Sequence, residues 1–242
     1  MTLPRLFVET ALKLNGEVDL EDRQAHYLVH VLRLSAGDEV LVFDGKSGEW
    51  RAEIAQADKG RCRIRLIERT REQSEAQDLD YAFAPLKQAR LDYLVQKAVE
   101  LGVSRLRPVI TAHTAVRRLN LNRVRANIVE AAEQCGILTL PKADPPQKLN
   151  LFLKECKGRR AVVFCDEASG PASPIAVLER LRGQRITALV GPEGGFSEEE
   201  RELLRSSSFV HAISLGPRIM RADTAAVAAL ALINAVLGDW RQ

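Results

Sequence analysis

The chain has 242 residues, 46% of them hydrophobic and 28% charged, with a net charge of +3. That length fits one large domain or two smaller ones, and the composition is that of an ordinary globular protein. No apolar run is long enough to span a bilayer, and residues 1–30 lack the basic start and continuous apolar core of a signal peptide, so a cytoplasmic protein is expected.

In chain order, RLFVE (5–9) reads as a strand. DRQAHYLVHVLRL (22–34) reads as one helix, with Leu28, Val29, Val31 and Leu32 turned toward a core. His26 and His30 stand four apart on it, but nothing nearby completes a metal site, so they are read as surface or interface residues. DEVLVFDG, EWRAEIAQ and RCRIRLIE, joined by glycine-marked turns, read as a β-meander over 38–67. These segments form a small, barrel-like β domain. The polar run Glu68–Asp78 then holds no large apolar residue to anchor a core. It separates a domain of residues 1–72 from one of residues 73–242.

Strands and helices alternate beyond it. YAFAPL, RLRPVI, RAVVFCDE, RITALVG and VHAISLG read as strands, the last three fully buried in character. Helices are expected at ARLDYLVQKAVELG (ended by Gly102), NRVRANIVEAAEQCG, PIAVLERLR, EEERELLRS and ADTAAVAALALINAVLG. This alternation indicates a mostly parallel α/β sheet. The last helix is alanine-rich and apolar nearly all round, which suits a central packing helix or a subunit interface.

The four cysteines (Cys62, Cys135, Cys156, Cys165) are scattered without a C-x-x-C pair, so no metal site is expected and buried reduced thiols are. Charge is unevenly spread. Residues 1–75 carry 12 Lys+Arg against 14 Asp+Glu, leaving 23 against 18 for the rest. The span 104–125 holds Arg105, Arg107, Arg117, Arg118, Arg123 and Arg125 and no acidic residue. Uncompensated arginines suit phosphate contacts, and equally a solvated face paired with acids from elsewhere in the fold.

Two glycine-marked loops follow apolar strands, LVGPEGGFSEEE (189–200) and LGPRIMRADTA (215–225). In open α/β sheets, ligands bind at the carboxyl ends of strands. Ser197 and Glu200 have the spacing of a capping box, and Glu198 and Glu199 add acidic charge at the same helix start. Carboxylates there leave no place for phosphate, and neither Gly-Lys-Ser/Thr nor G-x-G-x-x-G is present.

Together GPEGGFSEEE and LGPRIMRADTA resemble the signature of the RsmE family, ribosomal RNA methyltransferases of the SPOUT superfamily that use S-adenosylmethionine. PRLFV, HYLVHVLRLSAGDEVLVFDGKSGEW, QKAVELGV and EAAEQCG resemble further family blocks in the same order. The resemblance implies a PUA-like β-barrel for residues 1–72 and, for residues 73–242, a SPOUT-type α/β methyltransferase domain with a carboxy-terminal trefoil knot. It also implies a homodimer, ribosomal RNA or the small ribosomal subunit as partner, and methylation of uridine N3 in 16S ribosomal RNA. The sequence departs from the family where Asp223 replaces the usual glutamate and where Ile137 replaces an arginine.

On that reading, S-adenosylmethionine lies against Leu189, Gly191, Gly194, Gly195, Leu215 and Gly216, with Ile219 and Met220 as apolar walls and Arg221 and Thr224 nearby. Arg221 would stabilise charge on the uracil carbonyls, and Glu193 or Asp223 would either take the proton or only orient the loop. RNA phosphates would meet Arg5 and Arg33 as well as the 104–125 arginines. Two other readings stand beside this one: a non-catalytic RNA-binding ribosome assembly factor, and a methyltransferase directed at a ribose 2′-hydroxyl.

Overall fold

The computed structural model describes residues 3–58, 61–168 and 173–241. The chain divides into two compact units. One is Met1–Glu75 with Ala132–Leu140, and the other is Ala76–Ala131 with Pro141–Gln242. Residues 132–140 thus belong with the first unit, although they lie within the span 73–242.

The first unit contains β1 (Arg5–Phe7), β2 (Glu17–Asp19), α1 (Asp22–His26), β3 (Glu39–Phe43), β4 (Glu49–Asp58) and β5 (Arg61–Arg71). They form one five-stranded sheet in the order β1-β3-β4-β5-β2, antiparallel except for the β1–β3 pair. Strict alternation in β5 turns Cys62, Ile64 and Leu66 inward and Arg61, Arg63 and Arg65 outward, as a half-solvated strand requires.

The helix expected over 22–34 is α1 followed by a π-helical turn at Tyr27–Val31, where the Leu32 amide bonds the Tyr27 carbonyl, five residues back. The wider turn rotates the succeeding residues away from the 3.6-residue stripe. Leu28 is buried and Val29 packs against the core, but Val31 is 57% exposed and Leu32 37%. His26 and His30 are both exposed, their rings 5.1 Å apart. The thiols divide as well: Cys62 and Cys156 are buried, whereas Cys135 is exposed.

The second unit is built on β6 (Leu79–Phe83), α2 (Gln88–Glu100), β7 (Arg105–Ile110), α3 (Leu121–Gln134), β8 (Lys142–Ala143), β9 (Gln147–Lys148), α4 (Leu149–Cys156), β10 (Ala161–Cys165), α5 (Pro174–Glu179), β11 (Ile186–Val190), α6 (Glu198–Ser206), β12 (Val210–Ile213) and α7 (Ala222–Val236); the end of α3 is counted with the first unit. Its sheet is wholly parallel, in the order β12-β10-β11-β6-β7-β8, with β9 also on β7. Every residue of β6 and β11 is buried, as strands covered on both faces must be. β12 is an edge strand and only half-buried, unlike the fully buried strand expected from VHAISLG.

Pro108, which has no N–H to donate, lies where the outer partner of β7 changes from β8, at Arg105 and Leu106, to β9, at Val109 and Ile110. The chain crosses from β11 past β10 to β12 and returns through α7, which packs on α2, α5 and β11. The expected knot requires a re-entrant path of this kind.

Candidate functional site

Because β12, β10 and β11 are parallel neighbours, the loops at their carboxyl ends leave the sheet on the same side. They enclose a cavity of about 330 Å³. Its walls are Cys165–Glu167 at the end of β10, Val190–Phe196 without Gly194 at the end of β11, Arg201 on α6, Leu215–Arg221 without Pro217 after β12, Ala222 and Ala225 at the start of α7, and Arg90 on α2.

Of the expected cofactor residues, Gly191, Gly195, Leu215, Gly216, Ile219, Met220 and Arg221 meet at this cavity, and so does Glu193. Leu189 does not. Its side chain is fully buried in the sheet core with Phe164 and Phe196. Gly194, Asp223 and Thr224 are also outside the wall. Gly194 turns its missing side chain toward His113, whose Cβ lies 3.4 Å from where a methyl would stand. Thr224 is exposed, and its amide bonds its neighbour's Asp223 Oδ1 at 2.9 Å.

The glycines serve different ends. A Cβ on Gly191 would lie 2.5 Å from the Phe196 ring, so that glycine makes room for core packing. Gly195 has φ +68° and Gly216 φ +108°, both in the region that favours glycine. A Cβ on Gly216 would meet nothing, which leaves open space at the cavity wall. Ile219 is 87% exposed, an unusual position for a large aliphatic side chain beside a cavity.

Charge in the cavity is largely paired. Asp166 is 3% exposed and is held by Arg201 at 2.8 Å and by Arg205; Arg201 also bonds Glu167 at 2.9 Å. Glu193 is ion-paired with Arg90. Arg218 and Arg221 are exposed and form no ion pair among the described residues, so they supply the uncompensated positive charge of the cavity. Burial pushes the Cys165 thiol up to about 12, which keeps it protonated and unreactive. Tyr81, behind the wall, is fully buried with an unpartnered hydroxyl. Burial above all, with smaller contributions from Cys165 and Asp223, raises its pKa well above that of a free phenol.

The arginines expected to meet RNA separate into two groups. Arg5 is not at a surface: its side chain is 9% exposed, bonds Glu49 at 2.5 Å, stacks 4.0 Å from the centre of the Phe43 ring, and donates to the carbonyls of Ala132 and Ile137. Arg107, 2% exposed, is enclosed by Asp80, Glu155 and the Phe152 ring. Both stabilise the interior. Arg105 is paired with Asp144 and Arg123 with Asp92, so the basic span is partly neutralised by acids from other segments. Arg33, Arg117, Arg118 and Arg125 are exposed. Of these, Arg33, Arg117 and Arg118 form no ion pair among the described residues, and no group of three or more His, Cys, Asp or Glu there could hold a metal.

Arg218 escaped the sequence reading although it lies in the second glycine loop, and so did Arg90, His113, Asp166, Glu167 and Arg201. The last five lie in segments that read as ordinary helix, strand end or turn, and only the parallel order of the strands brings them to one place.

Comparison with known proteins gives relatives over nearly the whole chain. A family model described as an RNA methyltransferase domain matches residues 73–234, and one described as an RNA methyltransferase PUA domain matches residues 20–67. The chain is 33% identical over 236 residues to ribosomal RNA small subunit methyltransferase E of Rickettsia conorii, covering 97% of this chain and 96% of that one. It is 32% identical to the Synechocystis protein of the same name, over 96% of this chain and 78% of that one. Its structure superposes with a TM-score of 0.85 on the Neisseria gonorrhoeae enzyme of that name bound to S-adenosylmethionine, at 27% identity and 98% coverage of both chains.

Proposed function

Since the chain belongs to the RNA methyltransferase family, with an RNA methyltransferase PUA domain ahead of its α/β domain, we propose that it is a SPOUT-type enzyme that methylates uridine N3 in the 16S ribosomal RNA of the small subunit, using S-adenosylmethionine. The observation that carries this reading is the cavity where the two glycine loops converge beside two unpaired arginines. Its residues fit the cofactor: the open space at Gly216 admits backbone approach, exposed Ile219 and half-buried Met220 offer apolar cover, and the carboxylates of Asp166, Glu167 and Glu193 offset the positive charge that a sulfonium meets there. When bound, the cofactor supplies an electrophilic methyl group.

The chain would hold it through Gly191, Gly195, Leu215, Gly216, Ile219 and Met220. Arg221, a permanent cation at the start of α7, stabilises negative charge that develops on the uracil oxygens. Of the two carboxylates, Glu193 lines the cavity but is committed to Arg90, and Asp223 forms no ion pair among the described residues but stands outside the wall. To take the proton, Glu193 would have to give up that ion pair, whereas Asp223 has one oxygen uncommitted. Arg117 and Arg118, and Arg33 in the first unit, are the RNA phosphate contacts this reading favours. It also includes a cytoplasmic setting and a homodimer, the latter supported by the apolar residues of α7 that remain partly exposed. No helix among the described residues is long and apolar enough to cross a membrane.

The test is nucleoside mass spectrometry after incubating the protein with S-adenosylmethionine and unmodified small subunits. A uridine methylated at N3 is expected. Methylation of a ribose 2′-hydroxyl instead would redirect the activity, and cofactor-independent RNA binding with no methylation would leave an assembly factor.

A further inference from the structure

His113 belongs to neither glycine loop and does not line the cavity. It is the third residue of a closed turn, Thr111–Thr114, after β7. Both threonines are buried, their hydroxyls are 2.8 Å apart, and the Thr111 amide donates to the Thr114 hydroxyl at 2.8 Å. The Ala112 amide donates at 2.8 Å to Glu200, the acid that also caps α6. The turn is thereby fixed to the helix just beyond the first glycine loop. From it, the exposed His113 ring places Nδ1 at 3.0 Å from the Gly194 carbonyl oxygen and 3.2 Å from that of Gly195.

Two carbonyls aimed at one ring nitrogen require that nitrogen to carry the hydrogen, because an acceptor facing two acceptors would be repelled. The loop is shaped to present them. The Gly195 amide closes a turn on Pro192 O at 2.9 Å, and Gly195 takes φ +68°, which turns the successive carbonyls of Gly194 and Gly195 toward one point. Glu193, on the same turn, is gripped by Arg90 from α2. The exposed ring adds nothing to the core, and its hydrogen bonds among the described residues both go to the loop.

We infer that His113 is a positioning residue of the methyltransferase site, whose Nδ1–H fixes the Gly194 and Gly195 carbonyls and so holds the Pro192–Phe196 wall in the shape that receives the cofactor. The role rests on the assignment of this cavity to the cofactor. Both the neutral Nδ1–H tautomer and the imidazolium can perform it.

The decisive comparison is His113→Asn against His113→Leu, side chains of similar size that differ in the donated hydrogen. S-adenosylmethionine affinity is measured by calorimetry, and amide exchange across 191–197 by mass spectrometry on the cofactor-free protein. His113→Leu is expected to weaken binding about tenfold, as loss of a donor to two acceptors implies, and to speed exchange in that peptide while β10 and β11 stay protected. His113→Asn should remain within about threefold of the wild type. His113→Ala should follow the leucine variant. If that variant fails to fold, the Asn–Leu pair still decides. Equal affinity and exchange in the Leu variant and the wild type overturn the inference, as does an Asn variant no better than Leu. A wild-type protein that binds no S-adenosylmethionine would sink the cofactor assignment instead, and the exchange comparison would still test the loop.

Discussion

Arg107 shows how one residue type serves opposite purposes. Buried to 2% exposure, it faces Asp80, Glu155 and, at 3.9 Å, Asp144. Burial pushes the Asp80 carboxyl above its ordinary value, and Arg160 and Arg107 pull it back toward the charged form. Arg107→Ala removes one partner from a buried cluster, so unfolding free energy measured in urea should fall by about 3–5 kcal/mol. A loss below about 1 kcal/mol would mean that Arg160 alone suffices. Arginine at 5 and 107 was legible as basic but not as interior, because the acids that enclose it are 27 to 48 residues away. Ile137 shows the limit of a departure from family pattern: its backbone carbonyl, common to every residue type, is what Arg5 uses.

Elements were more legible than residues where the signal is local. The capping box is one case: Ser197 Oγ accepts from the Glu200 amide at 3.3 Å, and the Glu200 carboxylate accepts from the Ser197 amide at 3.1 Å. Ser197→Ala should therefore cost about 1 kcal/mol of stability in thermal or urea unfolding. No loss would show that Glu200 alone satisfies the helix start. α4 was missed although Leu149, Phe152, Leu153 and Cys156 have helical spacing, because eight residues give little more than two turns of pattern. β2, three residues long, carries no periodic signal at all. The π turn broke a correct helix assignment from inside, since a period of 3.6 cannot anticipate one extra residue in the turn.

For the whole molecule, the α/β class and the pair of glycine loops were readable, whereas the strand order was not. Adjacency of β10 to both β11 and β12 makes one cavity from three loops separated in sequence. Net charge also misleads until burial is known, because several of the 104–125 arginines are neutralised internally. Arg117 and Arg118 remain as candidate phosphate contacts. Replacing both by alanine should lower the slope of log affinity against log salt for ribosomal RNA by about 1.5, since each phosphate contact contributes roughly 0.7 to 0.9. An unaltered slope would place the RNA elsewhere.

The position of β11 has a consequence for how this protein is made. It lies between β6 and β10, yet it leaves the ribosome after both. Until residue 190 has emerged, the nascent sheet has a vacancy at its centre, with two strands that end up almost wholly buried and no partner between them. A strand that must insert between two earlier ones closes long-range, parallel contacts, the slow class of folding step. The two glycine loops follow in that last stretch of chain, so a partly synthesised protein has the arginines proposed to meet RNA well before it has the cavity proposed for the methyl donor.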